Sequence, residues 1–497
     1  MKKLFAIVLL TLSSFCVFAE SYTEWYVQTT GNNLNSGSTP DNTATYTAVN
    51  GNWDGAGIYT PTDGSTPANT VTNGSWASIY LDAATVAVYV AQVTNVAAGA
   101  NGAISLSRVA TAGSAPTSSG TGRSIKVGGA WAGPNTNQNP SVTFPWAFMV
   151  GTLTNSPSLT ACYNFKSAIY SWTNTVTMAS STTVPMRVSG YRTTVRDGVL
   201  STNSGNFAGS SFTLLTISAA NVEMTDFAFM NNGNSGNSIG VTISGGGSIY
   251  RRIYVSGMRG TGLSMNANSL IEESEFFANN ANATADLGGL KLNGAGAISR
   301  NCIAQGNSGP GFVIQGGGHI INGISFNNIA EGIDVLAPGV AVPILIQNCD
   351  TYSNGKSGID LKSLIATQGN QIDILNCNFF KNGGMGITNT ANTTSMGRIA
   401  NCTFGSGTQA NTFGDVASTV TNAITLINPL SYTSGSLPWV DVANGNFSQS
   451  TSSLNRSRGT SLFLQTLYSS PTNTVSFPDA GATQASDTNQ AAFTFAQ

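Results

Sequence analysis

The sequence Ile-Gln-Asn-Cys at residues 346–349 returns as Ile-Leu-Asn-Cys at 374–377 and as Ile-Ala-Asn-Cys at 399–402. Looser copies stand upstream at Ser299-Arg300-Asn301-Cys302 and at Ile320-Ile321-Asn322-Gly323. Successive copies are 21 to 28 residues apart. A repeat of this length is one supersecondary unit that cannot bury its apolar side alone, so several units must stack.

A second motif, a glycine followed by an apolar residue, recurs in phase with the first between about residues 182 and 430. It occurs at Gly240-Val241, Gly262-Leu263, Gly289-Leu290, Gly311-Phe312, Gly332-Ile333, Gly358-Ile359 and Gly386-Ile387. Two motifs that keep the same phase over seven units indicate one regular coil rather than chance similarity.

The composition decides which kind of repeat this is. Charged residues make up 8% of the 497-residue chain and the formal net charge is −2, so no basic face for nucleic acid is expected. The density of glycine and asparagine and the lack of a 3.6-residue period exclude helical repeats, and the leucine-rich pattern is absent. We therefore predict an all-β chain, a right-handed parallel β-helix built of short strands and Asn or Gly turns.

The asparagine and cysteine positions have structural explanations. Asparagine tolerates the left-handed backbone conformation that a sharp bend requires, and stacked side-chain amides can hydrogen-bond along the axis. Cys349, Cys377 and Cys402 share one inward position in consecutive coils, at a separation that a disulfide permits. Because in-register stacking gives poor disulfide torsions, we expect free thiols, with a disulfide as the alternative.

The first residues indicate export. Lys2 and Lys3 precede an apolar run at residues 4–12, and Val17-Phe18-Ala19 is a small-x-small cleavage motif. We predict a signal peptide at residues 1–19, cleaved after Ala19, and a secreted or cell-surface protein. No other segment reaches the ~18 apolar residues of a membrane span.

The rest of the chain divides by composition. Residues 20–175 hold six of the seven tryptophans and are expected to form an N-terminal β-rich module and cap. Residues 176–430 form the β-helix, and residues 431–497 form a C-terminal capping segment and tail. Core packing is the favoured role for most of these six tryptophans, and Trp53, in the stretch Gly51-Asn52-Trp53-Asp54-Gly55, is the best candidate for an exposed ring that stacks on a sugar.

Several segments carry a resemblance to known proteins. Trp25-Tyr26-Val27 resembles the opening of many secreted or phage-borne β-helix proteins. Trp439-Val440-Asp441, Asn444-Gly445-Asn446-Phe447 and Asp479-Ala480-Gly481-Ala482 resemble their closing segment. The repeats resemble the pectin-lyase-like right-handed β-helix superfamily, which implies that architecture and relatives that cleave acidic polysaccharides.

One acidic pair is the candidate for chemistry. Asp334 and Asp360 follow the Gly-apolar motif of adjacent units, so we expect them ~5 Å apart on the outside of the coil, with Lys362 on the same face. Asp334, Asp360 and Lys362 are candidate catalytic residues of a polysaccharide lyase or glycoside hydrolase. The two aspartates are alternatively candidate ligands of calcium. The alternative, which we favour, is a solvated strand face on which Lys362 balances two exposed carboxylates.

The resemblance itself argues against a lyase. Calcium-binding lyases of this fold tend to carry adjacent aspartates in the turn before the Gly-Ile-Asp segment, and here that turn reads Asn354-Gly355-Lys356-Ser357. No metal-ligand spacing appears, and His319 is the sole histidine.

The leading functional hypothesis is an exported carbohydrate-binding or adhesive surface protein without a cofactor. Its partner would be a polysaccharide or cell-surface glycan, and it would be a monomer or a trimer. The alternative is a polysaccharide lyase or glycoside hydrolase acting on an extracellular polysaccharide, with calcium as its candidate cofactor.

Overall fold

The computed structural model describes part of the chain in detail. The described residues are 23–28, 36, 38–39, 43–81, 89–107, 119–132, 161–166, 175–178, 186–191, 213–230, 239–281, 287–336, 343–362, 371–389, 396–421, 424–427, 429–432, 437–442 and 446–449. The predicted signal peptide and its cleavage site after Ala19 lie outside them.

The described residues of the N-terminal part form nine strands and one 3-10 turn, Pro67–Asn69. The strands are β1 (Thr23–Gln28), β2 (Tyr46–Trp53), β3 (Ile58–Thr60), β4 (Trp76–Leu81), β5 (Tyr89–Val96), β6 (Ile104–Leu106), β7 (Gly120–Val127), β8 (Trp131–Ala132) and β9 (Ala161–Lys166). Strands β2 to β7 close into an antiparallel barrel in the order β2-β3-β6-β5-β4-β7.

The barrel is inserted after the first strand of the β-helix. Strand β1 pairs in parallel with β8 and β9, and β9 pairs in parallel with the next strand of the helix, Met186–Tyr191. Trp25 of β1 is buried in the helix core, and its ring centroid lies 5.0 Å from that of Trp76 in the barrel. The barrel therefore packs on the first turn of the helix.

In the coils, the part of the chain that the structure describes has twenty-six further strands. They are β10 (Val176–Met178), β11 (Met186–Tyr191), β12 (Leu215–Ile217), β13 (Val222–Met230), β14 (Val241–Ile243), β15 (Ile249–Ser256), β16 (Leu263–Met265), β17 (Leu270–Glu272), β18 (Glu275–Phe277), β19 (Leu290–Leu292), β20 (Ile298–Arg300), β21 (Ile303–Gln305), β22 (Phe312–Ile314), β23 (His319–Ile321), β24 (Ile324–Phe326), β25 (Ile333–Val335), β26 (Ile344–Gln347), β27 (Asp350–Tyr352), β28 (Ile359–Leu361), β29 (Gln371–Leu375), β30 (Asn378–Phe380), β31 (Ile387–Thr388), β32 (Met396–Ala400), β33 (Thr403–Gly405), β34 (Thr425–Ile427) and β35 (Leu430–Tyr432). A 3-10 turn, Gly407–Gln409, and a short helix α1, Ser418–Thr421, follow β33. No helix among the described residues is long and apolar enough to cross a membrane.

Three parallel sheets run along the coils. Sheet S1 contains β10, β12, β14, β16, β19, β22, β25, β28 and β31. Sheet S2 contains β11, the first halves of β13 and β15, and β17, β20, β23, β26, β29, β32 and β34. Sheet S3 contains the second halves of β13 and β15, and β18, β21, β24, β27, β30, β33 and β35. The predicted parallel β-helix is confirmed.

One residue per coil bends the chain between S2 and S3 with a left-handed backbone conformation. These residues, with φ between +50° and +63°, are Asp226, Arg252, Glu273, Asn301, Asn322, Asn348, Asn376 and Asn401. The last five are the asparagines of the repeated motif, so the predicted reason for asparagine at this position is confirmed.

A second column of asparagines lies inside the turn between S3 and S1. It consists of Asn279, Asn307, Asn328, Asn354, Asn382 and Asn411, all buried. From Asn307 onward, each side-chain Nδ2 donates to Oδ1 of the asparagine in the next coil over 2.8–3.0 Å. We call this column the inner ladder, and it satisfies polar groups that water cannot reach.

The Gly-apolar motif marks the entry into S1. At Gly332, an added Cβ would lie 2.7 Å from the carbonyl oxygen of Gly358, and at Gly358 it would lie 2.6 Å from that of Gly386. Glycine is required here because the backbone of the next coil approaches so closely. The apolar partners of the motif point inward and are buried, as Ile333 and Ile359 show.

The cysteine positions also face the core. Cys302, Cys349, Cys377 and Cys402 are buried free thiols, in agreement with the prediction. The backbone N–H of Cys349 lies 3.4 Å from Sγ of Cys377, which places consecutive thiols in contact along the axis.

The C-terminal segment folds back onto the side of the helix. Strands β36 (Trp439–Asp441) and β37 (Asn446–Gln449) form an antiparallel hairpin. The Trp439 ring lies 5.1 Å from that of Phe380, and the Phe447 ring lies 4.9 Å from that of Phe326. The hairpin therefore covers the outer face of S3 in the later coils.

A residue of the inner ladder should contribute more to stability than the exposed bend residue Asn301. In Asn328→Ala, buried donors and acceptors on both neighbouring asparagines lose their partners, so we expect the free energy of unfolding to fall by about 3 kcal/mol. The matched variant Asn301→Ala, at an exposed bend, should cost about 1 kcal/mol through its left-handed backbone. Urea unfolding followed by circular dichroism measures both, and equal losses would contradict the role of the ladder.

Candidate functional site

Asp334 and Asp360 lie side by side in S1, as the sequence predicts. They are register partners in the adjacent parallel strands β25 and β28. The expected exposure is wrong, because Asp334 is 0% and Asp360 is 2% exposed. Val313, the register partner of Asp334 on the other side, is also fully buried, so the outer face of S1 is covered at this height.

Lysines form ion pairs with Asp334 and with a further buried acid, Glu331. Nζ of Lys362 lies 2.8 Å from Oδ2 of Asp334 and 3.7 Å from Oε1 of Glu331. Nζ of the more exposed Lys356 lies 3.2 Å from the same Glu331 oxygen. We name Glu331, Asp334, Lys356, Asp360 and Lys362 the S1 charge cluster. It contains three acids and two lysines, and the structure brings the three predicted site residues together within it.

Burial controls the protonation of Asp334. Loss of water contacts raises its pKa to about 7, while the hydrogen bond and charge of Lys362 oppose the rise and the charges of Glu331 and Asp360 add to it. Among the described residues, Oδ1 of Asp334 has no hydrogen-bond partner. Burial by itself would lower the pKa of Lys362, but its hydrogen bond to Asp334 and the nearby carboxylates raise it.

A calcium site is not apparent in the described part of the chain. No three His, Cys, Asp or Glu side chains converge there as a metal ion would require. In the S1 charge cluster, the ammonium groups of Lys356 and Lys362 take the place next to the carboxylates that a cation would need.

The expectation for Trp53 is wrong. Trp53 is 2% exposed and packs in the core of the barrel with Tyr59, Ile79 and Ile125. The Gly-rich flanks indicated an exposed loop, but Trp53 ends strand β2, whose alternate side chains face the barrel interior. Its ring is therefore not available to stack on a sugar.

A polar and aromatic group on the outer face of S3 was not identified from the sequence. It consists of Tyr254, Ser256, Glu275, Phe277 and Gln305, which we name the S3 outer patch. Tyr254 and Ser256 are register partners of Glu275 and Phe277, and Phe277 is in turn the register partner of Gln305. The five side chains therefore lie on three consecutive strands.

The patch combines an open ring with a carboxyl–amide pair. The Phe277 side chain is 40% exposed, whereas Glu275 is 5% exposed. Nε2 of Gln305 donates to Oε1 of Glu275. Burial raises the pKa of Glu275, and the hydrogen bond from Gln305 opposes that rise.

The signal for this patch is present in the sequence as a second outward column. The first outward column of S3 contains the register partners Tyr254, Glu275 and Ile303. The second lies two residues further along each strand and includes Phe277, Gln305, Phe326, Tyr352 and Phe380. The hairpin β36–β37 contacts the last three, since the Tyr352 and Trp439 rings lie 5.8 Å apart and the other two contacts are given above. Phe277 belongs to the open end of the column.

Comparisons with known proteins concern the fold. The chain matches no family model and no curated protein sequence. Pectate lyase Pel9A is similar at 14% identity and TM-score 0.42, over 71% of this chain and 96% of that one. The A-module of mannuronan C-5 epimerase AlgE4 from Azotobacter vinelandii is similar at 14% identity and TM-score 0.36, over 58% and 93%. The Dettilon tailspike protein is similar at 12% identity and TM-score 0.37, over 60% and 66%. The strand pairing by itself establishes the parallel β-helix architecture that the resemblance to pectin-lyase-like proteins implies.

The raised pKa of Glu275 predicts a pH-dependent contribution to stability. The folded state binds the proton more tightly than the unfolded state, so the contribution is complete below the ordinary pKa and is lost as pH rises through the raised pKa. Wild-type and Glu275→Gln proteins should therefore unfold at similar temperatures near pH 4. At pH 8 the wild type should lose about 1.4 kcal/mol relative to the variant for each unit of pKa shift. Parallel melting profiles across this range would contradict the prediction.

Proposed function

We propose that the protein is an exported, non-catalytic β-helix that binds a polysaccharide or cell-surface glycan through the S3 outer patch. The observation that carries the proposal is the 40% exposed ring of Phe277 beside the hydrogen-bonded pair of Glu275 and Gln305. The export step depends on the predicted signal peptide at residues 1–19.

The chemistry of the patch suits a hydroxyl-rich ligand. The face of an aromatic ring packs against the C–H face of a sugar ring. The sugar hydroxyls, which lie around the edge of the sugar ring, then contact the polar groups beside the aromatic ring. Carboxyl and amide side chains together offer donors and acceptors for adjacent hydroxyls. A net charge of −2 over 497 residues favours an uncharged glycan over a strongly acidic one.

We assign the S1 charge cluster a structural role and do not place glycan binding there. Asp334 is fully buried and its carboxylate is bound by Lys362 at 2.8 Å, so a polymer chain has no direct contact with it. The oligomeric state, monomer or trimer, stays a prediction.

Glycan binding should depend on the ring of Phe277. We expect Phe277→Ala to weaken binding to a glycan identified on an array by about 1 kcal/mol, or roughly fivefold in Kd. The matched control is Phe413→Ala, since Phe413 is 71% exposed and lies outside the patch. Calorimetry on folded variants measures the effect, and equal affinity of the wild type and Phe277→Ala would refute the assignment of the site.

A second candidate function is a polysaccharide lyase or glycoside hydrolase that acts around Asp334, Asp360 and Lys362. The observation in its favour is the pKa of about 7 at Asp334, because a group poised near neutrality is suited to acid–base catalysis.

Product detection separates the two functions. Under our proposal, a panel of neutral and acidic polysaccharides incubated with the protein should release no unsaturated or reducing-end products. Depolymerisation by the wild type that is lost in a folded Asp360→Ala variant would establish the enzyme and overturn the non-catalytic proposal.

A further inference from the structure

Lys362 lies next to two buried carboxylates of the preceding coil, Asp334 and Glu331. Its Nζ is 2.8 Å from Oδ2 of Asp334 and 3.7 Å from Oε1 of Glu331, and the side chains of these acids are 0% and 5% exposed. A primary amine beside two buried carboxyl groups supplies the groups needed to form an amide: a nucleophile, an acyl group and a base.

We propose that Lys362 and Asp334 condense into an intramolecular isopeptide bond that joins two adjacent coils of the β-helix. The amide forms between Nζ of Lys362 and Cγ of Asp334, and Glu331 is the residue that moves the proton. The bond connects β25 to the residue that directly follows β28.

The step is balanced without any co-reactant. Glu331 takes one proton from the Lys362 ammonium, and the free amine attacks Cγ of protonated Asp334 to form the new C–N bond. The tetrahedral adduct then loses one carboxyl oxygen of Asp334 as water. The two hydrogens of this water are the acid proton of Asp334 and one proton from Nζ, which Glu331 transfers to the departing oxygen. One amide and one water molecule replace one amine and one carboxylic acid.

The environment of Asp334 favours this reaction over a simple ion pair. Burial keeps a large share of Asp334 protonated near neutrality, with a pKa of about 7, and the protonated acid is the form that an amine attacks. Among the described residues, Oδ1 of Asp334 has no hydrogen-bond partner, so the ion pair leaves this buried oxygen unsatisfied. The raised pKa of Lys362 opposes the reaction, which is why a neighbouring carboxylate is required to remove the proton.

The bond would serve the proposed surface role but is independent of it. A covalent link between coils constrains the unfolded chain as a disulfide does, in a protein whose described cysteines are free thiols. It would also consume Lys362 and Asp334, so the same two residues could not act as an acid–base pair.

Mass spectrometry of the full-length wild-type chain, denatured before analysis, tests the proposal. The expected intact mass is lower by one water molecule than the mass of the processed sequence. Trypsin should then yield residues 301–356 joined to residues 357–381, because an acylated Lys362 is no longer cleaved. The joined pair is decisive, since Asp54-Gly55 and Asp197-Gly198 can also lose water by forming a cyclic imide.

Two variants keep the test sharp. Lys356→Arg, a change of the neighbouring lysine, should still form the joined peptides, whereas Glu331→Gln should leave most of the chain unjoined in spite of a similar circular dichroism spectrum. If a variant fails to fold, the measurement on the wild type decides the test by itself. Full mass together with a separate peptide 357–362 from the folded wild type would overturn the proposal, and it would leave the glycan-binding proposal untouched.

Discussion

Every coil of this protein must bend where the coil beneath it bends. Parallel in-register stacking brings the left-handed residues between S2 and S3 into one column, whatever their side chains are. In the later coils the column is asparagine, and Nδ2 of Asn322 donates to Oδ1 of Asn301 over 2.8 Å. In the earlier coils Arg252 stands between Asp226 and Glu273, with nitrogen–oxygen distances of 2.6 and 3.6 Å. The same geometric constraint is therefore met by two kinds of side-chain pairing.

The inner ladder shows why stacking selects asparagine where water is excluded. A buried column of identical side chains satisfies itself only if each member carries a donor and an acceptor, and the amide of asparagine carries both. Aspartate would place unpaired negative charges one strand spacing apart, at a high cost in a buried turn. Asn328 also donates to the carbonyl oxygen of Ala304 over 3.1 Å, so the ladder holds the turn backbone as well as its neighbours. Each coil thus depends on the next, as in other one-dimensional repeats.

The sequence was sufficient for the register but not for what covers the outside of the coils. The spacing of the Asn and Gly motifs predicts that Asp334 lies beside Asp360, and the strand pairing confirms it. Alternation along a strand says only which side a residue faces, so the burial of Asp334 and of Trp53 could not be read from it. The second outward column of S3 was missed for a related reason. It is separated from the first by an inward residue, and its meaning depends on a hairpin that is distant in sequence.

The distribution of the outer columns argues for separate tasks on separate sheets. On S3, an aromatic column is covered by Trp439 and Phe447 in the later coils and is open at Phe277. Under our glycan-binding proposal, the uncovered end of this face packs against a sugar ring as the covered end packs against aromatic side chains of the same chain. On S1, the three acids are buried, and the partly exposed lysines Lys356 and Lys362 of the following coil bind two of them.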